Sequence, residues 1–408
     1  MRKSMQRIKT FRTFESVTGG LTPEQKRWLD KCTSGTWSLN AEGLVDVEGN
    51  FSCSSQGLSD LKGVRFGNVS ANFDCSYNKL TSLEGAPRKV IGNFNCSYNK
   101  LTSLEGAPRE VSENFWCQGN RLTSLEGAPV EVRGGFYCSG NKLTSLEGAP
   151  GEVRGNFNCS VNKLTSLVGA PGEVSGGFDC SWNKLTSLEG APREVKGDFS
   201  CYENKLTSLV GAPGEVRGGF TCYGNKLTSL EGAPRKVEGN FWCNHNKLTS
   251  LEGAPEEVGG LFYCHRNNLT SLVGAPRKVS GNLECENNPL QTLVGAPQKI
   301  GGVFRFSAGV EAPEFFIPGD QWGPAGWLQA LKTIDDPKAK ALVLTLLDPK
   351  PLLAKLKGDL KQDGPVLLDL SYFWGVPGAE SIQKELEASL TPVQLKSIQA
   401  LGRMHGYL

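Results

Sequence analysis

Thirteen cysteines and three histidines are the residues with which this chain could do chemistry. Cysteine in that number offers cross-linking, tetrahedral zinc binding or attack by a thiolate. The spacing argues against all three. Cys75, Cys96, Cys117, Cys138, Cys159, Cys180, Cys201, Cys222, Cys243, Cys264 and Cys285 lie 21 residues apart, Cys53 precedes them by 22, and Phe306 takes the next slot. No CxxC pair occurs. A thiol held in one register of a repeat is a stack of small buried side chains, inert as a nucleophile and at home in a reducing compartment. The histidines are His245, His265 and His405, none in a nucleophile, metalloprotease or phosphate-loop motif. His245 and His265 can neighbour each other across adjacent units, but two imidazoles without fixed carboxylates or thiolates fall short of a metal site. The expectation is no catalytic residue, no metal and no cofactor.

The cysteine period is that of the element that carries it. "LTSLEGAPRKVIGNFNCSYNK" begins at Leu80, and near-copies follow to about residue 300. A short fixed period predicts a solenoid in which each unit packs only on its neighbours. Phe stands two before Cys, as in Phe73, Phe94 and Phe115, so Phe and Cys alternate with outward residues in the period of a half-buried strand. Asn follows three after Cys, from Asn78 to Asn288, and can satisfy backbone groups at a turn because its amide both donates and accepts. Leu stands five and eight after Cys, then Gly and Pro turn the chain, and Val re-enters the core. No unit alone offsets its backbone entropy, but a stack does. One parallel strand per unit, about 4.8 Å from the next, would make a ribbon of about 55–60 Å.

Fold class follows: a mainly β repeat solenoid over residues 44–306. A flexible basic tail is expected over 1–20, without the apolar stretch of a secretory signal. Residues 21–43 read as an N-terminal cap. There "LTPEQKRWLDKC" forms a helix with Thr22 as N-cap, Pro23 at N1 and Gln25 closing a capping box, followed by a hairpin strand. Trp28, Leu29 and Trp37 are its candidate core. Residues 307–323, rich in Gly and Pro, read as a linker, and 324–408 as a helical C-terminal module. Helices are expected to open at Pro337, Pro349 and Pro392, the last with Leu395, Ile398 and Leu401 on one face.

"FNCSYNKLTSL" resembles the leucine-rich-repeat core L-x-L-x-x-N-x-L-x-x-L, with Phe94, Cys96, Asn99, Leu101 and Leu104 in the matching slots. The short unit is similar to those of bacterial secreted effectors and of large tailed phages. One slot departs: Ser112, Arg133, Lys196 and Glu238 replace the family's first Leu, with Val one residue earlier. The resemblance implies a partner-binding concave sheet rather than a chemistry. Some similar effectors carry a C-terminal ubiquitin ligase working through cysteine; residues 307–408 contain none, which excludes that chemistry here.

The variable outward positions then become the candidate site: Tyr77, Tyr98, Trp116, Tyr137, Asp179, Trp182, Tyr202, Tyr223, Trp242, His245, Tyr263 and His265. Aromatics presented on a rigid sheet suit protein recognition, though cross-strand aromatic pairs also stabilise a sheet on their own. A basic ladder four after Cys (Lys79 to Lys247) and a mostly acidic one nine after it (Glu84 to Glu252) read as a self-compensating charged edge. With a net charge of +2, nothing in the overall charge favours nucleic acid or membrane. The functional expectation is a non-enzymatic protein-binding module in the cytoplasm or another reducing compartment, with self-association through the C-terminal helices as a further route. The alternatives are a phage virion or assembly component using the solenoid as a rigid spacer, and a carbohydrate-binding adhesin.

Overall fold

The computed structural model describes residues 20–323, 327, 330, 331, 333–346, 370–375 and 380–404. The chain opens with helix α1, Pro23–Cys32, whose Thr22 side chain accepts from the Gln25 amide while the Gln25 side chain accepts from the Thr22 amide. Trp28 and Leu29 are buried, and Trp28 sets its ring edge against Phe51 at 5.3 Å. Strand β1, Thr33–Leu39, pairs antiparallel with β2, Val45–Ser52, and β2 starts the parallel stack. Trp37 is half-buried against this cap, and its indole donates to Asp30.

Each later turn supplies two short strands rather than the single one expected. An outer pair of residues such as Lys89–Val90 and an inner pair such as Phe94–Asn95 form separate parallel ladders, Val90 facing Val111 and Phe94 facing Phe115. The break between them falls at Ile91-Gly92-Asn93, where neighbouring turns touch: a Cβ on Gly92 would lie 2.8 Å from the Ala71 carbonyl carbon. Here Val90, not Ile91, is buried, which explains why the family's first leucine slot is free to carry polar residues.

The core is one column per residue type. Phe rings from Phe51 through Phe262 stack with centroids 5.1–5.6 Å apart. The Cys column beside them is buried throughout, with every thiol free. The Asn column ties the turns together. Asn162 donates to the carbonyls of Cys138, Cys159 and Ser160, each at 3.1 Å, and accepts from the Leu143 amide at 3.0 Å. Every Asn from Asn99 to Asn288 repeats the carbonyl contacts to its own and the preceding Cys. At the tight turn after the second Leu, Gly169 has φ +91°, and a Cβ there would meet Glu147 N at 2.6 Å.

At the far end, residues read from sequence as linker form a strand. Glu314–Pro318 pairs antiparallel with Val303–Ser307. Its alternation places Ile317 in the core and half-buries Phe315, so the segment closes the stack. Trp322 packs edge-on against Phe304 at 4.9 Å and donates to the Pro297 carbonyl. Helix Pro337–Leu346 touches the last unit through Thr345, which accepts from the Leu293 amide at 2.7 Å. Helices Glu380–Ser389 and Pro392–Met404 follow. On the latter the buried line is Gln394, Ile398 and Gly402, with Leu395 and Leu401 only half-buried. The helix expected from Pro349 and residue His405 lie outside the described residues. No helix among the described residues is long and apolar enough to cross a membrane.

Candidate partner-binding surface

Three positions around each Cys face away from the core. The residues one before and one after Cys share a side, because strand residues alternate. The residue two after Cys sits in the turn and takes left-handed backbone: φ is 53° at Tyr77, Tyr98, Trp182 and His245, while other turns use Gly119, Gly140 and Gly224 there. Left-handed backbone costs a residue with a Cβ about 1–2 kcal/mol. Glycine avoids that strain, yet these turns hold large exposed rings.

The candidate aromatics fall into three groups. Tyr77 and Tyr98 stack at 4.6 Å on the N-terminal turns. Trp116 and Tyr137 meet at 6.2 Å. The third group is continuous across several turns: Tyr202 stacks on Tyr223 at 4.6 Å, Tyr223 meets Trp242 at 6.5 Å, and Trp242 stacks on Tyr263 at 5.9 Å. His265 stands edge-on to Tyr263 at 6.0 Å and to His245 at 5.4 Å. Trp182 is exposed and makes no ring contact among the described residues. Asp179 is occupied locally: its carboxylate accepts from the Ser181 amide and hydroxyl, the same turn-closing role that Asn158 plays for Ser160.

Sequence reasoning missed the groups that end the third cluster. His245 faces the Arg266 guanidinium at 3.0 Å and the Asn244 amide at 2.8 Å. Beyond His265 the same register brings Glu286, 7 % exposed, whose Oε2 has no hydrogen-bond partner among the described residues. The indole nitrogen of Trp242 and Oε1 of Gln118 are likewise buried and unpartnered. The sequence signal was present, since Glu286 holds the slot of Tyr202, Tyr223 and His265, but a charge there does not announce burial. Outward carboxylates (Asp74, Asp179, Glu203, Glu284 and Glu286) outnumber the guanidiniums of Arg266 and Arg305, and among the described residues no lysine takes these three positions around Cys. Arg305 lies between Glu284 and Glu314, at 3.6 and 3.9 Å.

Burial, then the charge of His245, hold His265 down at about 4, so it is neutral across the physiological range. Desolvation lowers His245 in the same sense and raises the Tyr223 and Tyr263 hydroxyls. Burial pushes Glu286 up to about 7. The folded state therefore holds that proton more tightly than the unfolded chain does. The associated stability is complete below about pH 4.5 and is lost as pH rises through about 7. Glu286→Gln is expected to remove that part of the decline, leaving a flatter melting temperature between about pH 5 and 8. Thermal unfolding of both proteins across that range measures it, and an unchanged slope would show that Glu286 does not titrate as described.

The thiols are no alternative centre. Burial raises every cysteine of the column from Cys53 to Cys285, which keeps the thiolate out of reach. Among the described residues no group of three His, Cys, Asp or Glu is placed to hold a metal ion.

No protein-family profile and no curated protein matches the chain. Among solved structures it is similar to YopM from Yersinia enterocolitica WA-314, at 20 % identity and a TM-score of 0.45, over 61 % of this chain and 59 % of that one. The chain thus spans about three fifths of the Yersinia protein's length. It is also similar to the functional domain of InlJ from Listeria monocytogenes, which includes a cysteine ladder, at 19 % identity and a TM-score of 0.32, over 60 % of this chain and 69 % of that one. On its own repeat, its parallel ladders and its buried Cys and Asn columns, this chain is a leucine-rich-repeat-like solenoid with short, 21-residue units.

Proposed function

We propose that this protein is a non-enzymatic scaffold that binds a protein partner through the aromatic-rich outward face of its inner ladder. The observation that carries the reading is the continuous run from Tyr202 through Trp242 and Tyr263 to His245, held on the inner strands and the turns that directly follow them. Two further observations support it. Large rings are kept exposed in left-handed turns where neighbouring turns use glycine. The exposed Arg266 guanidinium beside His245 adds a charged donor at the end of the same strip. Trp and Tyr dominate binding hot spots, and truncating one costs about 2 kcal/mol or more.

Replacing Trp116, Tyr137, Trp242 and Tyr263 together by alanine is expected to weaken partner binding by at least about 100-fold while leaving the solenoid folded. Affinity capture with mass spectrometry, comparing wild type and the fourfold variant, identifies the partner. Titration of the purified pair then measures the loss. A partner retained at full affinity by the variant would move recognition to the ends of the chain and favour the spacer reading.

A further inference from the structure

The edge that follows the aromatic strip in each turn carries two parallel rails of charge. Lys79, Lys100, Arg121, Lys142, Lys163, Lys184, Lys205, Lys226 and Lys247 stand four after each Cys, and all are exposed. Glu84, Glu105, Glu126, Glu147, Glu189, Glu231 and Glu252 stand nine after, also exposed. Between the rails runs an exposed line of threonine from Thr81 to Thr270. Serine one residue on fixes the acidic rail: the Ser82, Ser124 and Ser250 hydroxyls accept from the backbone amides of Glu84, Glu126 and Glu252. Val168 and Val210 take the acidic slot in two turns and are left 53 and 57 % exposed.

The sequence reads these ladders as neutralising each other within the chain, and the ion pairs of the structure lie elsewhere. Among the described residues the ion pairs along the repeats use the outer strand or its neighbours, as in Lys89 with Glu110, Arg133 with Glu131 and Arg235 with Glu256, or the inner strand at the C-terminal end, as in Arg305 with Glu284. Neither rail takes part in any of them. Like charges about 4.8 Å apart therefore repel along about 38–40 Å of each rail without a partner.

An object that neutralises both rails must repeat at the same pitch and carry both signs. An extended peptide presents like-facing side chains about 6.6 Å apart and falls out of step. A linear polyanion meets the basic rail but is repelled by the acidic one. A second copy of this chain matches both. A two-fold axis parallel to the solenoid axis lays the basic rail of each copy on the acidic rail of the other, turn for turn. Seven turns carry both signs, from Lys79 with Glu84 to Lys247 with Glu252. The arrangement is isologous and closes at two copies.

We propose that two copies of this chain associate side by side and parallel, the basic rail of each against the acidic rail of the other. The surface used is separate from the aromatic strip, so it stands or falls independently of the partner-binding reading. The interface is narrow and exposed, which places it in the weak, salt-sensitive class.

Sedimentation equilibrium of the full chain tests it with a charge swap. One variant carries Lys142→Glu, Lys184→Glu and Lys226→Glu; the other carries Glu147→Lys, Glu189→Lys and Glu231→Lys. Circular dichroism establishes that both remain folded. The wild type is expected to dimerise at about 20 mM salt and to dissociate at about 500 mM, where the Debye length falls to a few ångströms. Each variant alone should associate at least about 10-fold more weakly, and their equimolar mixture should recover the wild-type constant. A wild type that stays monomeric at low salt, or a mixture no stronger than its components, overturns the proposal. Undiminished dimers in both variants also overturn it and assign self-association to another surface, such as the C-terminal helices. Binding of a single-stranded oligothymidylate that is abolished by the lysine substitutions, with no dimer present, reassigns the basic rail to a polyanion.

Discussion

Asn162→Ala is expected to destabilise the solenoid by about 1–3 kcal/mol, because it strips the buried Leu143 amide of its acceptor, and a buried backbone group left without a partner costs about 1–3 kcal/mol, while the Cys138, Cys159 and Ser160 carbonyls keep Asn141, Asn183 and the Gly140 amide. The Asn162 amide serves the carbonyls of Cys138, Cys159 and Ser160 and the amide of Leu143 at once. Those groups lie between turns, where water does not reach. The control is Asn156, in a second asparagine line along the solenoid edge. Its side chain accepts from the Gly177 amide at 2.7 Å, but in an exposed setting where water can replace it. Asn156→Ala should cost under about 1 kcal/mol. Urea unfolding of the two variants measures the contrast, and equal losses would show that the interior column is not what joins the turns.

Phe178→Ala should be more damaging still, at about 3–5 kcal/mol for an aromatic removed from a packed core. Phe178 is buried and stacks on Phe157 and Phe199, each at 5.5 Å. A solenoid has no long-range contacts to share the loss, so the cavity weakens two interfaces in mid-array. Unfolding is then expected to separate into two steps, with the turns on either side melting independently. Exposed Trp182, four residues on, gives the comparison: Trp182→Gly should leave stability within about 0.5 kcal/mol, since the glycine suits the left-handed turn. Circular dichroism melts would decide it, and a single sharp transition in Phe178→Ala with little loss would contradict the nearest-neighbour picture.

The core was legible in the sequence because identical side chains recur at identical spacing. Phe94, Cys96, Asn99, Leu101 and Leu104 each declare a register, and burial of that register follows from twelve repetitions. The second strand of each turn was not legible. Lys89–Val90 and Phe94–Asn95 are separated by only three residues, and short alternation does not reveal where a ladder breaks. The closing strand Glu314–Pro318 was obscured by the Gly and Pro around it, although Phe315 and Ile317 alternate with exposed Phe316. On the candidate surface the aromatic residue types were visible. Their division into separate clusters was not, because Tyr202 and Trp242 occupy different registers and meet only through Tyr223. Glu286 was hidden for the opposite reason: its environment comes from burial and from Glu314 and Arg305 at the end of the stack as well as from Glu284 in its own unit.

The asparagine column has a direction. The Leu143 amide is satisfied by Asn162, and the Leu164 amide by Asn183, so each of these leucine amides finds its acceptor in the turn after it. During synthesis a turn that has left the ribosome therefore still holds an open amide until the next 21 residues emerge. The growing end of the stack is always one turn short of complete, while the end begun at α1 is already sealed. Assembly is biased to run from the N-terminal cap onward, like a zipper whose slider can start at only one end.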